Sequence, residues 1–268
     1  TLFLNLTSNC NSNCLYCEAR FLDHSKDLSA ARIKKLLEEA KKMKIEKVFF
    51  SGGEPFIHKD IWDIINHAIK IGLKPSVVSN GLIIEKFNFE QLILLKKMQG
   101  VWISLESHRA DTHNKLRGGE DFFEKTVRGI KLLVDNNVRV NISTVISNEN
   151  YLEIKELIEF AEELGVFYVM FQPLHIWSNY SEAGNKLNKD NLLPEEKGLQ
   201  LEKKIKEAII FSKKSKIKTN LPALAGWVEK YFRIQREENE RKFWPRKVLP
   251  DFKCFEVHTK LFIHSDGS

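Results

Sequence analysis

Residues 9–17 read Asn9-Cys10-Asn11-Ser12-Asn13-Cys14-Leu15-Tyr16-Cys17, with three cysteines in the spacing C-x3-C-x2-C. A loop this short can direct three thiolates at three corners of an iron-sulfur cube. A cluster that only carries electrons also needs a protein ligand on its fourth iron, so three ligands leave one iron open to a small molecule. The spacing therefore predicts an iron-sulfur cluster at which chemistry takes place.

Two other interpretations of these cysteines stay open. They are a zinc site completed by His24 or by a distant residue, and three thiols with no metal. Zinc usually prefers a C-x2-C pair with a second pair far along the chain. This loop has no such second pair, so a cluster is favoured.

The composition is that of a folded protein of one large domain, with room for a small appendage: 268 residues, 43% hydrophobic. No apolar run approaches the roughly 18 residues of a membrane-spanning helix, and no signal pattern opens the chain. Clustered cysteines that must stay reduced predict a cytoplasmic location. The net charge of +6 is mild and its lysines are dispersed, so nucleic-acid binding is not indicated. Both ends, at Thr1 and Ser268, are expected to be cut.

Strand and helix patterns alternate along the chain. Apolar and β-branched runs predict six strands, at residues 2–6, 47–50, 75–78, 101–105, 138–146 and 166–171. Apolar residues at helical spacing predict helices between them, at residues 33–43, 61–69, 89–98, 121–134 and 152–164. Such alternation implies parallel strands joined by right-handed crossovers, hence an α/β fold that is either a barrel or an open sheet.

Polar residues follow the predicted strands, where parallel α/β proteins bind their ligands. These residues are Cys10, Gly52, Asn80, Glu106 and Gln172. Gly52 and Gly53 would let backbone groups approach a ligand, and Glu54 offers an acceptor suited to an ammonium group. By itself, the Gly-Gly-Glu-Pro run is also compatible with ordinary helix capping.

Taken together, the motifs resemble those of the radical S-adenosylmethionine (radical SAM) enzymes. The matching runs are residues 10–17, Gly52-Gly53-Glu54-Pro55, Ser79-Asn80-Gly81, Ile103-Ser104-Leu105-Glu106 and Arg117-Gly118. The resemblance covers about residues 1–175 and implies a partial (β/α)6 barrel of the TIM type. It also implies a [4Fe-4S] cluster on Cys10, Cys14 and Cys17, whose free iron is chelated by S-adenosylmethionine. One electron then cleaves this cosubstrate to a 5′-deoxyadenosyl radical, which abstracts a hydrogen atom from the substrate.

The resemblance also implies cofactor contacts by position. Tyr16 would lie near the adenine, Gly52, Gly53 and Glu54 would bind the methionyl amine, and Arg117 the methionyl carboxylate. Ser104 and Glu106 would lie near the ribose, although relatives often have Asp at the position of Glu106. The remaining candidate contacts are Ser79, Asn80 and Gln172. An electron donor such as ferredoxin or flavodoxin is the implied partner.

The C-terminal third is predicted to hold helices at residues 194–214 and 224–234, with the barrel domain spanning residues 1–215 and an extension spanning residues 216–268. Residues 175–193 form a polar stretch that either covers the barrel mouth or is an exposed connection. His175, just past the sixth strand, is a candidate for touching the substrate. Its alternative role is that of a structural hydrogen-bond partner.

Cys254 opens a run to Gly267 that is similar to the start of the cysteine-rich SPASM or twitch extension of peptide- and protein-modifying radical SAM enzymes. There the first cysteine precedes a short hairpin, and an Asp-Gly turn leads toward cysteines that complete a second iron-sulfur cluster. The chain to Ser268 lacks those later cysteines, and Glu256 and Val257 stand where glycine is frequent. Cys254 is therefore interpreted as a ligand of a second cluster, a thiol hydrogen donor or a buried thiol.

Two classes of function remain open. The first is a radical SAM enzyme that modifies a peptide or protein, with a rival inside the class that makes a pterin, haem or quinone cofactor. The second is an iron-sulfur or zinc redox module without turnover. The two classes differ in one observable, because a redox module would not cleave S-adenosylmethionine after reduction with dithionite.

Overall fold

The computed structural model describes residues 1–17, 27–174, 189–226, 228–232 and 261–267. Strands and helices alternate as predicted, and short 3₁₀ turns join some of them. The strands are β1 (Leu2–Thr7), β2 (Lys47–Gly52), β3 (Lys74–Ser79), β4 (Gly100–Ser104), β5 (Val140–Ile146), β6 (Tyr168–Pro173), β7 (Lys218–Thr219) and β8 (Leu261–Ile263). The helices are α1 (Ala30–Lys42), α2 (Ile61–Lys70), α3 (Phe89–Lys96), α4 (Ala110–Arg117), α5 (Phe122–Asp135), α6 (Ile154–Glu163), α7 (Gly198–Ser212) and α8 (Leu221–Ala225).

The eight strands of the described ranges form one parallel sheet in the order β7-β6-β5-β4-β3-β2-β1-β8. The predicted α/β fold is confirmed, since β1 to β6 lie side by side in chain order. β7 and β8 are two edge strands, of which β7 pairs with β6 and β8 with β1. The sheet is therefore not closed, and its concave face stays open between the two edges. Because both edge strands belong to this sheet, the division of the chain at residue 215 stays a prediction.

The core lies between the outer face of the sheet and the helices. Leu2, Leu4 and Leu6 of β1 are fully buried there, at 0 to 1% exposure, against helical stripes such as Ile33 and Leu37. Each such side chain contributes about 1.5–3 kcal/mol by its burial. Many of the alternate strand residues, such as Phe3, Phe49 and Trp102, face the concave side and are half-buried.

The described structure differs from the sequence-based prediction in α4, in β7 and in the last predicted helix. Helix α4 was not predicted, because its sequence ADTHNKLR is mostly polar and buries only His113 and Leu116. The helix predicted at residues 224–234 instead follows a break, since α8 ends at Ala225 and residues 228–232 are helical again. None of the helices in the described ranges is both long and apolar enough to cross a membrane.

Candidate cluster and cofactor site

The cysteine loop follows β1 and rests on the end of α4. Leu15 N donates to Leu116 O at 3.0 Å, and Ser12 Oγ donates to Arg117 O at 2.8 Å. Gly118 closes α4 with φ 79°, and a Cβ there would lie 2.3 Å from Asn13 O. The unpredicted helix thus supplies the surface on which the loop is fixed.

Cys10, Cys14 and Cys17 form no disulfide bond and differ in exposure. Cys10 is exposed, Cys14 is buried and Cys17 is intermediate. Within the described ranges, no three His, Cys, Asp or Glu side chains converge as a single metal ion would require. A polynuclear cluster binds its thiolates at separate corners, so it needs them on one loop but not at one point. Three cysteines on one anchored loop fit such a cluster.

The two glycines of the Gly-Gly-Glu turn are required by close backbone approach. Gly52 has φ 122°, and a Cβ on it would lie 2.3 Å from Thr7 O. A Cβ on Gly53 would lie 2.0 Å from Asn9 O, while Gly53 N donates to Thr7 O at 2.7 Å. These glycines therefore let the end of β2 lie against the residues that precede Cys10. Their contact with a methionyl amine stays a prediction.

Glu54 is completely buried and joins the ends of β2 and β3. Its Oε1 accepts hydrogen bonds from Ser79 Oγ at 2.9 Å and Phe56 N at 3.0 Å, and its Oε2 accepts one from Asn80 N at 2.7 Å. Burial raises the pKa of Glu54, and these hydrogen bonds oppose the rise. Three protein donors use most of the acceptor capacity of one carboxylate, so in this structure Glu54 and Ser79 fix the turn after β3.

Polar side chains lie next to two of the three thiols. Asn80 Nδ2 donates to Asn11 Oδ1 at 2.7 Å and lies 3.8 Å from Cys10 Sγ. Ser12 Oγ lies 3.2 Å from Cys14 Sγ. Hydrogen bonds to the sulfurs are one of the factors that set the reduction potential of an iron-sulfur cluster. These contacts place Asn80 at the cysteine loop, as its motif position predicts.

Glu106, Tyr16 and Arg117 form one buried network beside the loop. Glu106 Oε1 accepts from Tyr16 Oη at 2.6 Å and from Arg117 Nη1 at 3.2 Å, while Oε2 accepts from Val145 N at 2.7 Å. Burial raises the pKa of Glu106, and the charge of Arg117 opposes that rise. Burial and then the Glu106 carboxylate raise the pKa of Tyr16, so its phenol keeps the proton that it donates. Three residues with predicted cofactor contacts are thus brought together.

His113 belongs to this network and was not predicted. Its Nδ1 accepts a hydrogen bond from Glu106 N at 3.2 Å. Burial, followed by the charge of Arg117, lowers the pKa of His113 to about 3, so the ring is neutral at pH 7. His113 stands four residues before Arg117 on α4, and this helical spacing was the available signal.

Some of the remaining predicted residues lie within the described structure, and the others lie outside it. Ser104 ends β4 half-buried on the concave face, with Ser143 as its register partner. Gln172 near the end of β6 is exposed, with its Nε2 3.9 Å from Met170 Sδ. The other candidates, His24, His175 and Cys254, lie outside the described residues.

Comparison with known proteins agrees with this geometry. A sequence profile of the radical SAM superfamily matches residues 4–161. The AdoMet-dependent heme synthase of Methanosarcina barkeri is 29% identical over 170 residues, which are 62% of this chain and 48% of that protein. The antilisterial bacteriocin subtilosin biosynthesis protein AlbA of Bacillus subtilis is 29% identical over 164 residues, 60% of this chain and 36% of AlbA.

Among solved structures, Streptococcus suis SuiB bound to its precursor peptide SuiA has a TM-score of 0.72 at 17% identity. That match covers 98% of this chain and 57% of SuiB, and it supports the fold. The chain spans about half or less of the two curated relatives, at 48% and 36% of their lengths. Because the superfamily profile extends over more than half of the sequence, from β1 into α6, this chain belongs to the radical SAM superfamily of enzymes.

Proposed function

We propose that Cys10, Cys14 and Cys17 hold the [4Fe-4S] cluster that the family implies, that S-adenosylmethionine binds beside it, and that the enzyme modifies a peptide or protein. The main support is the cysteine loop itself. It carries three cysteines that form no disulfide bond, and it is held between the Gly-Gly-Glu turn and the end of α4. Asn80, Glu106 and Arg117, three of the residues with predicted cofactor contacts, form hydrogen bonds with residues of this loop.

The bound cluster and cosubstrate supply the radical that removes a hydrogen atom from the substrate. The chain's own residues bind and orient. The Arg117 guanidinium has only 11% of its side chain exposed and is held by Glu106, so it presents a fixed positive charge suited to a carboxylate. Ser79 and Glu54 hold the turn that carries Asn80, and this arrangement keeps the Asn80 amide next to Cys10.

The proposal of a peptide substrate has two supports. AlbA is described as a bacteriocin biosynthesis protein, and SuiB was solved in complex with its precursor peptide SuiA. In addition, the sheet is not closed, and small half-buried residues, among them Ser51, Ser104 and Ser143, lie at or near the carboxyl ends of its strands. The rival substrate class, a tetrapyrrole or another small cofactor precursor, is favoured by the heme synthase relative.

Three further parts of the proposal concern partners and the C-terminal region. We expect an electron donor such as ferredoxin or flavodoxin, because cleavage of S-adenosylmethionine uses one electron. We also expect a cytoplasmic location, because the cluster thiols must stay reduced. Cys254 is proposed as a ligand of a second cluster, in the manner of the SPASM or twitch extension. An iron count per chain with and without the Cys254→Ala substitution tests that assignment.

Substrate class is tested by following the hydrogen atom. The anaerobically reconstituted protein is reduced with dithionite and given S-adenosylmethionine with a deuterated candidate peptide, or with a deuterated tetrapyrrole precursor in parallel. Deuterium in 5′-deoxyadenosine, measured by mass spectrometry, is expected from the peptide alone. Transfer only from the small molecule would contradict the peptide proposal, and a cluster-loaded protein that never cleaves S-adenosylmethionine would support the redox module.

A further inference from the structure

Asp27 lies two residues before Ser29, the N-cap of α1, and accepts hydrogen bonds from the residues just before Cys10. Its carboxylate accepts from Ser8 N and Ser8 Oγ, both at 3.0 Å, and from Asn9 Nδ2 at 3.3 Å. Thr7 Oγ1 is a further donor to it. Three consecutive residues at the end of β1 are therefore held by one side chain that the family motifs do not include.

The same carboxylate also reaches the turn that follows β8. The Ser265 side chain donates to Asp27, and Leu28 N donates to Ser265 O at 2.7 Å. Gly267 N closes the turn onto His264 O at 2.9 Å, and Asn5 of β1 lies next to it, with Nδ2 3.4 Å from His264 Nδ1. We define residues His264 to Gly267 as the C-terminal turn.

This arrangement joins two segments that are more than 250 residues apart in sequence, as in the pair Asn5 and His264. β8 pairs in parallel with β1 from Leu261 to Ile263, so the C-terminal turn emerges at the same end of the sheet as the cysteine loop. Asp27 contacts both. A shift of residues 7–9 therefore moves Asp27 and changes its hydrogen bond with the C-terminal turn. A shift of the turn likewise changes the hydrogen bonds to residues 7–9.

We infer that Asp27 is a positioning residue that couples the C-terminal turn to the cysteine loop, so that cluster loading and docking of the turn stabilise each other. The inference rests on the proposed ligand role of Cys10. Coupling between two sites is reciprocal, so a cluster that fixes residues 7–9 must strengthen the docking of the turn by the same factor that the docked turn strengthens cluster binding. The C-terminal segment would thereby sense whether the enzyme is loaded.

Hydrogen-deuterium exchange of the peptide that contains residues 261–267 tests the coupling directly. In the wild-type protein we expect slower exchange of this peptide after cluster reconstitution than before it. In Asp27→Ala the exchange should be fast and independent of the cluster, and iron loss to a chelator should be about tenfold faster, as for other outer-sphere partners of metal ligands. Asp27→Asn should be intermediate, because its Oδ1 still accepts hydrogen bonds.

Two further variants separate coupling from a general loss of stability. Asp63→Ala removes a carboxylate of equal charge from an exposed ion pair with Lys34, and it should leave both readouts at wild-type values. Ser265→Ala should speed exchange of the turn while the chain stays folded by circular dichroism, and it decides the question if Asp27→Ala does not fold. Equal exchange before and after reconstitution in the wild type, or Asp27 variants that behave like Asp63→Ala, would overturn the inference. A wrong ligand assignment would show separately, as full iron content in Cys10→Ala.

Discussion

The two ends of the concave face differ in kind. At the carboxyl ends of the strands lie buried carboxylates and a guanidinium joined by hydrogen bonds, as in the pair of Glu106 and Arg117. At the amino ends lies a row of aromatic rings with centroid distances of 4.7 to 6.1 Å, formed by Phe262, Phe3, Phe49, Trp102 and Tyr168. The rings of Phe3, Phe49, Trp102 and Tyr168 line an open cavity of about 440 Å³. One sheet thus carries a polar candidate site at the carboxyl ends of its strands and a packed aromatic row at the amino ends.

The largest effect is expected where the cysteine loop touches β2. Gly53→Ala would place a Cβ 2.0 Å from Asn9 O, so the loop must move and we expect nearly complete loss of bound iron. Iron per chain after anaerobic reconstitution measures this. Gly226→Ala is the matched control, because a Cβ there meets nothing within 4 Å. Equal iron in both variants would show that the loop does not depend on this contact.

A large loss of stability is expected when the buried ion pair of Glu106 and Arg117 is broken. Glu106→Ala leaves the Arg117 charge buried without its partner, and this should lower the free energy of unfolding by about 3–5 kcal/mol. Urea denaturation of the apoprotein measures the change. Glu159→Ala, which breaks an exposed pair with Lys155, should change stability little. If the two variants were equally stable, the polar network would not be the rigid element that we describe.

The aromatic end should respond in stability alone. Trp102 is half-buried between Phe49 and Tyr168, so Trp102→Ala should cost about 2 kcal/mol, less than a fully buried aromatic side chain. Iron content and cleavage of S-adenosylmethionine at low temperature should stay at wild-type levels. Loss of iron binding in a folded Trp102→Ala variant would contradict the separation of the two ends.

The smallest effect is a pH dependence from His113. Its pKa falls to about 3 in the folded protein, below the ordinary value of 6.5, so the unfolded chain takes up a proton first as the pH falls. His113 therefore destabilises the fold progressively below pH 6.5, by about 1 kcal/mol at pH 5.5. His113→Gln should remove this part of the loss when unfolding is compared at pH 5.5 and 7.5. An unchanged difference between the two pH values would refute a buried neutral His113.

The sequence predicts the six central strands, and it predicts a site at their carboxyl ends. Both predictions are possible because alternating periodicities and the motifs at strand ends are local signals. It does not predict α4, of which only two residues are buried. It does not predict β7 either, because two residues are too few to show an alternating pattern. The hairpin that the resemblance implies after Cys254 does not predict the parallel pairing of β8 with β1, because that pairing joins residues far apart in the chain.

The structure also shows contacts between motifs that the sequence does not predict. A Cβ on Gly53 would lie nearest to the Asn9 carbonyl of the chain itself, whereas its predicted role is to clear space for a ligand. Glu54 and Ser79 belong to separate motifs and form a hydrogen bond of 2.9 Å with each other. Such pairs become visible only when the strands are placed side by side.

The central claim is that the first three cysteines hold the cluster that activates S-adenosylmethionine. The most direct measurement compares Cys14→Ala with Cys254→Ala after anaerobic reconstitution, by visible absorbance, iron content and 5′-deoxyadenosine formed after dithionite reduction. We predict that Cys14→Ala loses the brown absorbance of this cluster and all cleavage, while Cys254→Ala keeps the cleavage. A Cys14→Ala protein with full iron content and undiminished cleavage would contradict the assignment.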